Sequence, residues 1–415
     1  MNQESFVIAD AAAPADTEAG PPDGGFDAWM SVVGSFVIHI VSVGILYSFG
    51  VFGAHYVATG VDQVSVISMI GSVATASMMA PGVLTGRLAE RIGFTITVMI
   101  GAVVMGVSLL LASYASTSWQ LLLTQGVLFG LGASMSYIPV LALPAHWFGK
   151  KKSIANGIGV AGGGIGGIVI SLVVQRLIAA LGVRTALQIT AGCVSACALI
   201  VSPFVKARVP SKSQGMKFDW TVCKTQRFYL HLGGVFFNMF PCFIPAFFLP
   251  LVARDVVGLS ASDGAALVAI FNASSAVGRV SVGVIADLLF GRANSMIVCN
   301  FLNACSCFFV WTFARSFSAL AVFAVLNGFT AGGFWSLLPV LVSQSFELKR
   351  LPSILGMMLS VSSIGFLCGP PLAGLMYDRL GYMGVTLFAG SLNVIAMLFA
   401  VALKLSFEPK WMKAV

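Results

Sequence analysis

GRLAERIG, residues 86–93, is a short charged stretch between two long apolar runs, and GVIADLLFG, residues 283–291, occupies the same setting further along the chain. At an offset of 197, Gly86, Ala89 and Glu90 fall on Gly283, Ala286 and Asp287. At an offset of 200, Gly132, Ser136, Pro139, Val140 and Leu141 fall on Gly332, Ser336, Pro339, Val340 and Leu341, and Lys150, Ser153 and Ile154 on Arg350, Ser353 and Ile354. Glycine and apolar coincidences are cheap in such a chain. The proline, the basic residue and the acidic loop are more telling, and they read as an internal duplication.

Working outward, apolar segments fall near 29–50, 64–86, 94–114, 119–143, 153–178, 184–204, 228–252, 264–288, 294–314, 317–343, 352–376 and 382–404. Each is close to the roughly 20 residues a bilayer core requires. With no water there to satisfy the backbone, segments of this length must be helices. The reading is an all-α membrane protein of twelve transmembrane helices, in two six-helix halves related by a parallel pseudo-repeat. That arrangement puts a substrate site at the seam between halves, near mid-membrane.

Composition agrees. Of 415 residues 58% are hydrophobic and 9% charged, with a mean hydropathy of +0.95, against about 25% charged in soluble proteins. A soluble enzyme, a nucleic-acid-binding protein and a disordered scaffold are excluded. The net charge of +8 does not mark a nucleic-acid partner, because the cationic residues sit in short loops between spans. With twelve spans, 17 Lys and Arg lie on the side of the termini, five on the other, and Arg279 inside a span. Both termini are therefore expected to be cytoplasmic, with the plasma membrane the expected location. Residues 1–26 hold no Lys or Arg, lack an apolar signal sequence and read as a solvated, disordered acidic tail. The N-terminal half then covers 27–204, a cytoplasmic linker 205–227, the C-terminal half 228–404 and a short tail 405–415. The eight cysteines lie mostly in apolar runs and read as small packing residues, not a disulfide framework. No metal site, cofactor motif or intramembrane catalytic constellation such as HExxH is found, so no enzyme activity is expected.

These stretches resemble the major facilitator superfamily, whose loop signature G-x-L-a-D-R-x-G is similar to GRLAERIG with Glu90 in the acid position. DGGFDAW at 23–29, YSFGVFGAHY at 47–56, HWFGKKKSIANGIGVAGGGIGG at 146–167 and NASSAVGR at 272–279 look like motifs of its monocarboxylate transporter family, most of all the fungal branch. The resemblance implies an organic-anion carrier working by alternating access, with a proton as the coupled ion. It departs from the animal proton-coupled members at two places. Tyr47 stands where they carry a lysine and Ser275 where they carry an aspartate, so their proton relay does not carry over.

Arg279 is the most informative residue. It lies about three residues past the middle of its span, roughly 4–5 Å at 1.5 Å per residue, where an arginine costs at least about 2.5–3.5 kcal/mol to insert and must face the bundle interior. Its planar fork suits a carboxylate. It either contacts an anionic substrate or pairs with Asp287, two turns on, or with carbonyls of helix 7. Glu90 and Asp287 sit at span ends and read as conformational latches with Arg87, Arg91 and Arg292 nearby, Asp287 being also a proton-coupling candidate on the Arg279 face. His39, mid-span in helix 1, reads either as a proton relay or as a neutral packing histidine; His55, His146 and His231 near span ends read as interfacial. Tyr47, Asn238, Asn272 and Gln344 are polar groups within spans that hold helices together or line the cavity. Tyr47, Asn238 and Asn272 join Arg279 as substrate-binding candidates. The glycine run at 162–167 lacks the strand and G-K-[ST] of a phosphate loop and reads as close helix packing.

The expected function is secondary transport of a small organic anion, a monocarboxylate first, by a protein acting as a monomer with the bilayer as its other partner. The alternatives are an exporter of a larger fungal secondary metabolite or a transporter of another small organic molecule and, second, a non-transporting nutrient receptor.

Overall fold

The computed structural model describes residues 23–208 and 221–407. The expected acidic tail falls outside them apart from 23–26, as do most of the 205–227 linker and the last residues of the C-terminal tail.

Among the described residues eight continuous helices are long and apolar enough to cross a bilayer, and Val66–Met79 with Gly82–Ile92, bent by 44°, makes a ninth. Two of the eight, Lys152–Phe204 and Leu348–Phe407, have 53 and 60 residues, far more than one crossing needs. Each is broken by one glycine, Gly182 (φ 80°, ψ 163°) and Gly381 (φ 65°, ψ −161°). A side chain would strain both conformations, so the helix stops there and the chain can turn back. It does turn back: a Cβ at Gly34 would lie 3.1 Å from Val205 Cγ2, and one at Gly159 would lie 2.7 Å from Ser35 Oγ. Residues 159 and 205 thus flank the same turn of the first helix.

Among the described residues twelve spans result. They are α1 (Phe26–Ala58), α2 (Val64–Met79 bent into Gly82–Ile92), α3 (Phe94–Ala112), α4 (Ser118–Trp147), α5 (152–181), α6 (183–204), α7 (Gln226–Met239 and Ile244–Asp255), α8 (Ser262–Phe290), α9 (Arg292–Trp311), α10 (Phe317–Ser345), α11 (351–380) and α12 (382–407). The expected single helix at 228–252 is a broken one. Pro241 and Pro245 cannot donate to the helical ladder, and the chain turns over 240–243 before α7 resumes. α1 widens into a π-helical turn over Ile40–Gly44, directly after His39.

The duplication is visible in the backbone. Positive-φ glycines recur in matched pairs: Gly60 and Gly258 (73° and 74°), Gly93 and Gly291 (93° and 78°), and Gly182 and Gly381 (80° and 65°). The members of each pair are 198 or 199 residues apart, in agreement with the sequence offsets.

The halves meet along α2–α11 and α5–α8, and small residues let them close at the face where Asp23, the end of α6, the start of α7 and the end of α12 lie. We call this the tail face. A Cβ at Gly82 would lie 2.6 Å from Gly356 O, and one at Gly283 2.5 Å from Ser153 O. Asn156 Nδ2 donates to Ser336 O at 2.6 Å across the same seam. Without a hydrophobic drive between helices in lipid, such close approach is what holds the halves together.

Candidate transport cavity

At the opposite, far face the halves part and leave a cavity of about 680 Å³. Its walls run up α1 to Ala58 and along α2 from Ile67, the far ends of both helices, where Gly50, Ala54, Ala58, Ser68 and Ser72 are exposed. Phe49, Phe243, Phe247, Phe271, Trp335 and Phe366 give the wall its aromatic surfaces, with Met78, Met79 and smaller aliphatic residues beside them. Trp335 stacks on Phe366 at 6.4 Å and 6°. Polar groups gather at the floor: His39, Tyr47, Tyr137, Ser275 and Arg279.

The glycine run builds this floor. A Cβ at Gly166 would lie 2.8 Å from Ile40 Cα, and one at Gly164 3.0 Å from Ala276 Cβ, so α5 lies against α1 and α8 at once. A Cβ at Gly163 would meet Arg279 Nη1 and Val43 Cγ1, both at 2.9 Å. Glycine there leaves room for the guanidinium to lie between α1, α5 and α8.

Arg279 is 4% exposed. Its Nη1 donates to Val160 O at 2.5 Å and its Nη2 to Tyr47 Oη at 3.4 Å, while Nε has no partner among the described residues. Neither sequence-based pairing occurs. The partner is a carbonyl of α5, not of α7, and among the described residues no carboxylate lies within ion-pairing distance. A backbone carbonyl satisfies part of the fork but leaves its charge without a counter-ion, an arrangement suited to receiving an anion.

The candidates separate into three groups. Tyr47, Asn272, His39 and Arg279 line the one cavity. Asn238 does not: its Nδ2 donates to Asn300 Oδ1 at 3.0 Å, and it faces a water-sized void shared with Asn303, Asn327 and Asn393. The part of α7 before its break packs inward on its own half, so the amide holds helices together. Gln344 sits at the tail end of α10, away from the cavity lining.

Glu90 and Asp287 form the third group, on the tail face. Glu90 Oε1 accepts from Ser353 N at 3.0 Å, at the start of α11; Asp287 Oδ2 accepts from Ile154 N at 3.0 Å, at the start of α5. Each half therefore supplies a carboxylate that caps a helix N-terminus of the other half, where the helix dipole favours negative charge. Arg87 lies 3.8 Å from Glu90 on the same helix. Arg292 Nε meets Asp287 Oδ1 at 3.0 Å, and its Nη2 donates to Gly149 O at 2.6 Å. Arg91 is exposed, and among the described residues it makes no ion pair. Asp287 points into this tail-face cluster, not toward the cavity, which removes the geometric basis for reading it as a partner of Arg279.

Two histidines read as interfacial are buried. His231 Nε2 meets Ser345 Oγ at 2.9 Å, and His146 packs edge-on against Phe94 at 5.5 Å. Both point inward because their helix ends are covered by neighbouring helices, which span position alone does not reveal. Sequence reasoning also missed the Asp23 clasp. Its Oδ1 accepts from the backbone N–H groups of Gly149, Lys150 and Lys151 at 2.7, 2.8 and 3.3 Å. Partial burial pushes the Asp23 carboxyl up, but the three N–H contacts and the Lys150 charge outweigh this and hold it below the usual carboxylate range. The sequence clue was available in DGGF and GKKK, but only the fold puts them together.

The family model of the Major Facilitator Superfamily matches residues 31–288 and 231–414. The chain belongs to the Major Facilitator Superfamily. Among its relatives, MFS-type transporter 1 of Ophiocordyceps sp. (strain BCC 1869) is 30% identical over 402 residues, covering 95% of this chain and 89% of the relative. The Aspyridones efflux protein apdF of Emericella nidulans is 29% identical over 399 residues, covering 94% and 81%. The superfamily transporter FucP, solved in the outward conformation, superposes with a TM-score of 0.74 at 12% identity, over 91% of this chain and 99% of that one. Members of this superfamily are multi-pass membrane transporters, and the cavity between the halves stands where such a bundle carries its substrate.

Proposed function

We propose that this superfamily member exports an apolar, acid-bearing organic molecule of drug-like size by alternating access. The observation that carries the reading is the cavity: about 680 Å³, within the range of about 300–1,000 Å³ that encloses drug-sized ligands, apolar and partly aromatic on its walls and, among the described residues, with Arg279 as its one Lys or Arg. A lactate-sized anion would leave most of that space unfilled. Efflux is the direction carried in the name of one relative, the aspyridones efflux protein of Emericella nidulans. With both termini on the cytoplasmic side, as the distribution of basic residues implies, the conformation described here is outward-open, the state that releases an exported cargo. A plasma-membrane location, action as a monomer and a proton as coupled ion belong to this proposal.

The second reading, a carrier of small monocarboxylates, is favoured by one observation, the unpaired Arg279 guanidinium in the span where the resembling family keeps its arginine. The two are told apart in inside-out vesicles. Proton-driven accumulation of large aromatic acids without lactate or pyruvate supports export of the larger cargo; lactate or pyruvate uptake at comparable rates overturns it. Arg279→Gln should abolish uptake of the acids while the protein still inserts, and full-rate uptake by that variant would remove Arg279 from cargo binding.

A further inference from the structure

The cavity floor holds a second polar atom that the anion reading does not use. His39 is 1% exposed, lines the cavity, and has its Nε2 without a partner among the described residues. Its Nδ1 is 2.7 Å from Ser35 O. A backbone carbonyl can only accept, so Nδ1 carries the hydrogen. The Ser35 hydroxyl, 3.4 Å from Nδ1, donates instead to Val140 O at 3.3 Å. The ring is further fixed edge-on to Tyr137 at 5.2 Å. A protonated ring would place a second buried cation beside Arg279 with no carboxylate among the described residues to offset either, so the imidazole is neutral and Nε2 presents a lone pair.

Arg279 lies at the same depth. Gly159 faces Ser35 and Gly163 faces Val43, with His39 midway between those two on α1. The guanidinium is bonded to Val160 O and touches the Gly163 position. An orphan donor, Arg279 Nε, and an orphan acceptor, His39 Nε2, therefore sit together under one cavity. Orphan buried polar atoms of opposite kind are costly to leave unmatched, and a ligand that matches both is favoured over one that matches a single atom.

Resting on the anion reading above, we infer that the floor is a two-point site for an acid that carries a hydroxyl or N–H donor next to its oxyanion. The oxyanion meets Arg279 and the neighbouring donor hydrogen-bonds to His39 Nε2. A plain carboxylic acid satisfies only half of it. His39 is then a specificity-determining residue that selects by a hydrogen bond it accepts, and not a proton carrier.

The test uses the purified full chain in nanodiscs and two apolar acids that differ by one hydroxyl, naphthylglycolate and naphthylacetate, titrated calorimetrically. Wild type should bind naphthylglycolate about tenfold tighter, the scale of one hydrogen bond to a buried acceptor. His39→Phe should reduce the ratio to about one while leaving naphthylacetate affinity within about threefold. His39→Gln, which keeps an acceptor oxygen, should restore part of the preference and so excludes a packing effect. Arg279→Gln should weaken both acids together. A wild-type ratio near one, or a preference that survives His39→Phe, overturns the two-point site and leaves the anion reading standing. Unchanged binding of both acids to Arg279→Gln, or no binding of either acid to wild type, overturns the anion reading and the two-point site with it.

Discussion

The Asp287→Asn substitution isolates what holds the tail face shut. Asp287 receives the Ile154 N–H at 3.0 Å and the Arg292 Nε at 3.0 Å, with side-chain exposures of 1% for Asp287 and 14% for Arg292, so the pair is largely shielded from water. The amide can still accept the Ile154 N–H, but the bond becomes neutral, which removes about 1 kcal/mol. The dipole at the start of α5 loses a further 0.3–1 kcal/mol or so, and Arg292, no longer steered by the carboxylate of its own half, weakens its bond across the seam to Gly149 O by a similar amount. The total is roughly 2 kcal/mol. The contacts to Ile154, to the α5 dipole and to Gly149 O join the halves and exist only while the tail face is closed, so the loss falls on that state alone. At about 1.4 kcal/mol per decade it shifts the ratio of far-open to tail-open molecules about thirtyfold. A starting ratio of about 10:1 becomes about 1:3, and the far-open fraction falls roughly fourfold. Cys242 lines the cavity and reports this directly. With the other seven cysteines replaced, its modification by a membrane-impermeant thiol reagent added at the far face should slow roughly fourfold in Asp287→Asn. Glu90→Gln should slow it comparably, and the double variant should add the two free energies, because Glu90 and Asp287 share no partner. An unchanged or faster modification rate in a folded Asp287→Asn protein would refute the latch.

Three further outcomes are expected. Gly163→Val puts a branched side chain where a Cβ already meets Arg279 Nη1 and Val43 Cγ1 at 2.9 Å; transport should fall at least tenfold and Tm by several degrees, whereas near-normal transport would show that the floor can yield. Gly82→Leu collides with the α11 backbone, a Cβ already lying 2.6 Å from Gly356 O; thiol modification of Cys242 from the far face should drop as the tail face is forced apart. Asp23→Asn should speed limited proteolysis of the N-terminal segment. Because the folded-state Asp23 carboxyl titrates below its ordinary 3.8, its clasp is fully present above that value and is lost only as pH falls through the lower one. The wild-type cleavage rate should therefore be equal at pH 7 and pH 5, and a marked rise by pH 5 would contradict the clasp.

Much of the architecture was written in the sequence. Twelve apolar segments fix the number of spans because a bilayer leaves the backbone no other way to be satisfied, and the 86–93 and 283–291 stretches fix the duplication. Arg279 was legible as a residue of the bundle interior because a guanidinium within a span is too costly to leave facing lipid. What the sequence could not determine was who meets whom. Val160 donates no side-chain signal, yet its carbonyl holds the guanidinium. Asn238 looked like a cavity residue and turned out to bridge α7 to α9, because the break around Pro241 turns that stretch inward. Asp287 and Arg279 share a helix and end in separate sites, since only three-dimensional packing places the start of α5 beneath one and the cavity above the other. The tautomer of His39, and with it the kind of atom shown to a ligand, depends on a local carbonyl geometry that no periodicity encodes. Periodicity and insertion cost act on one segment at a time and so survive in the chain itself, whereas partners, depth and open face depend on contacts between segments and exist only once the two halves have closed against each other.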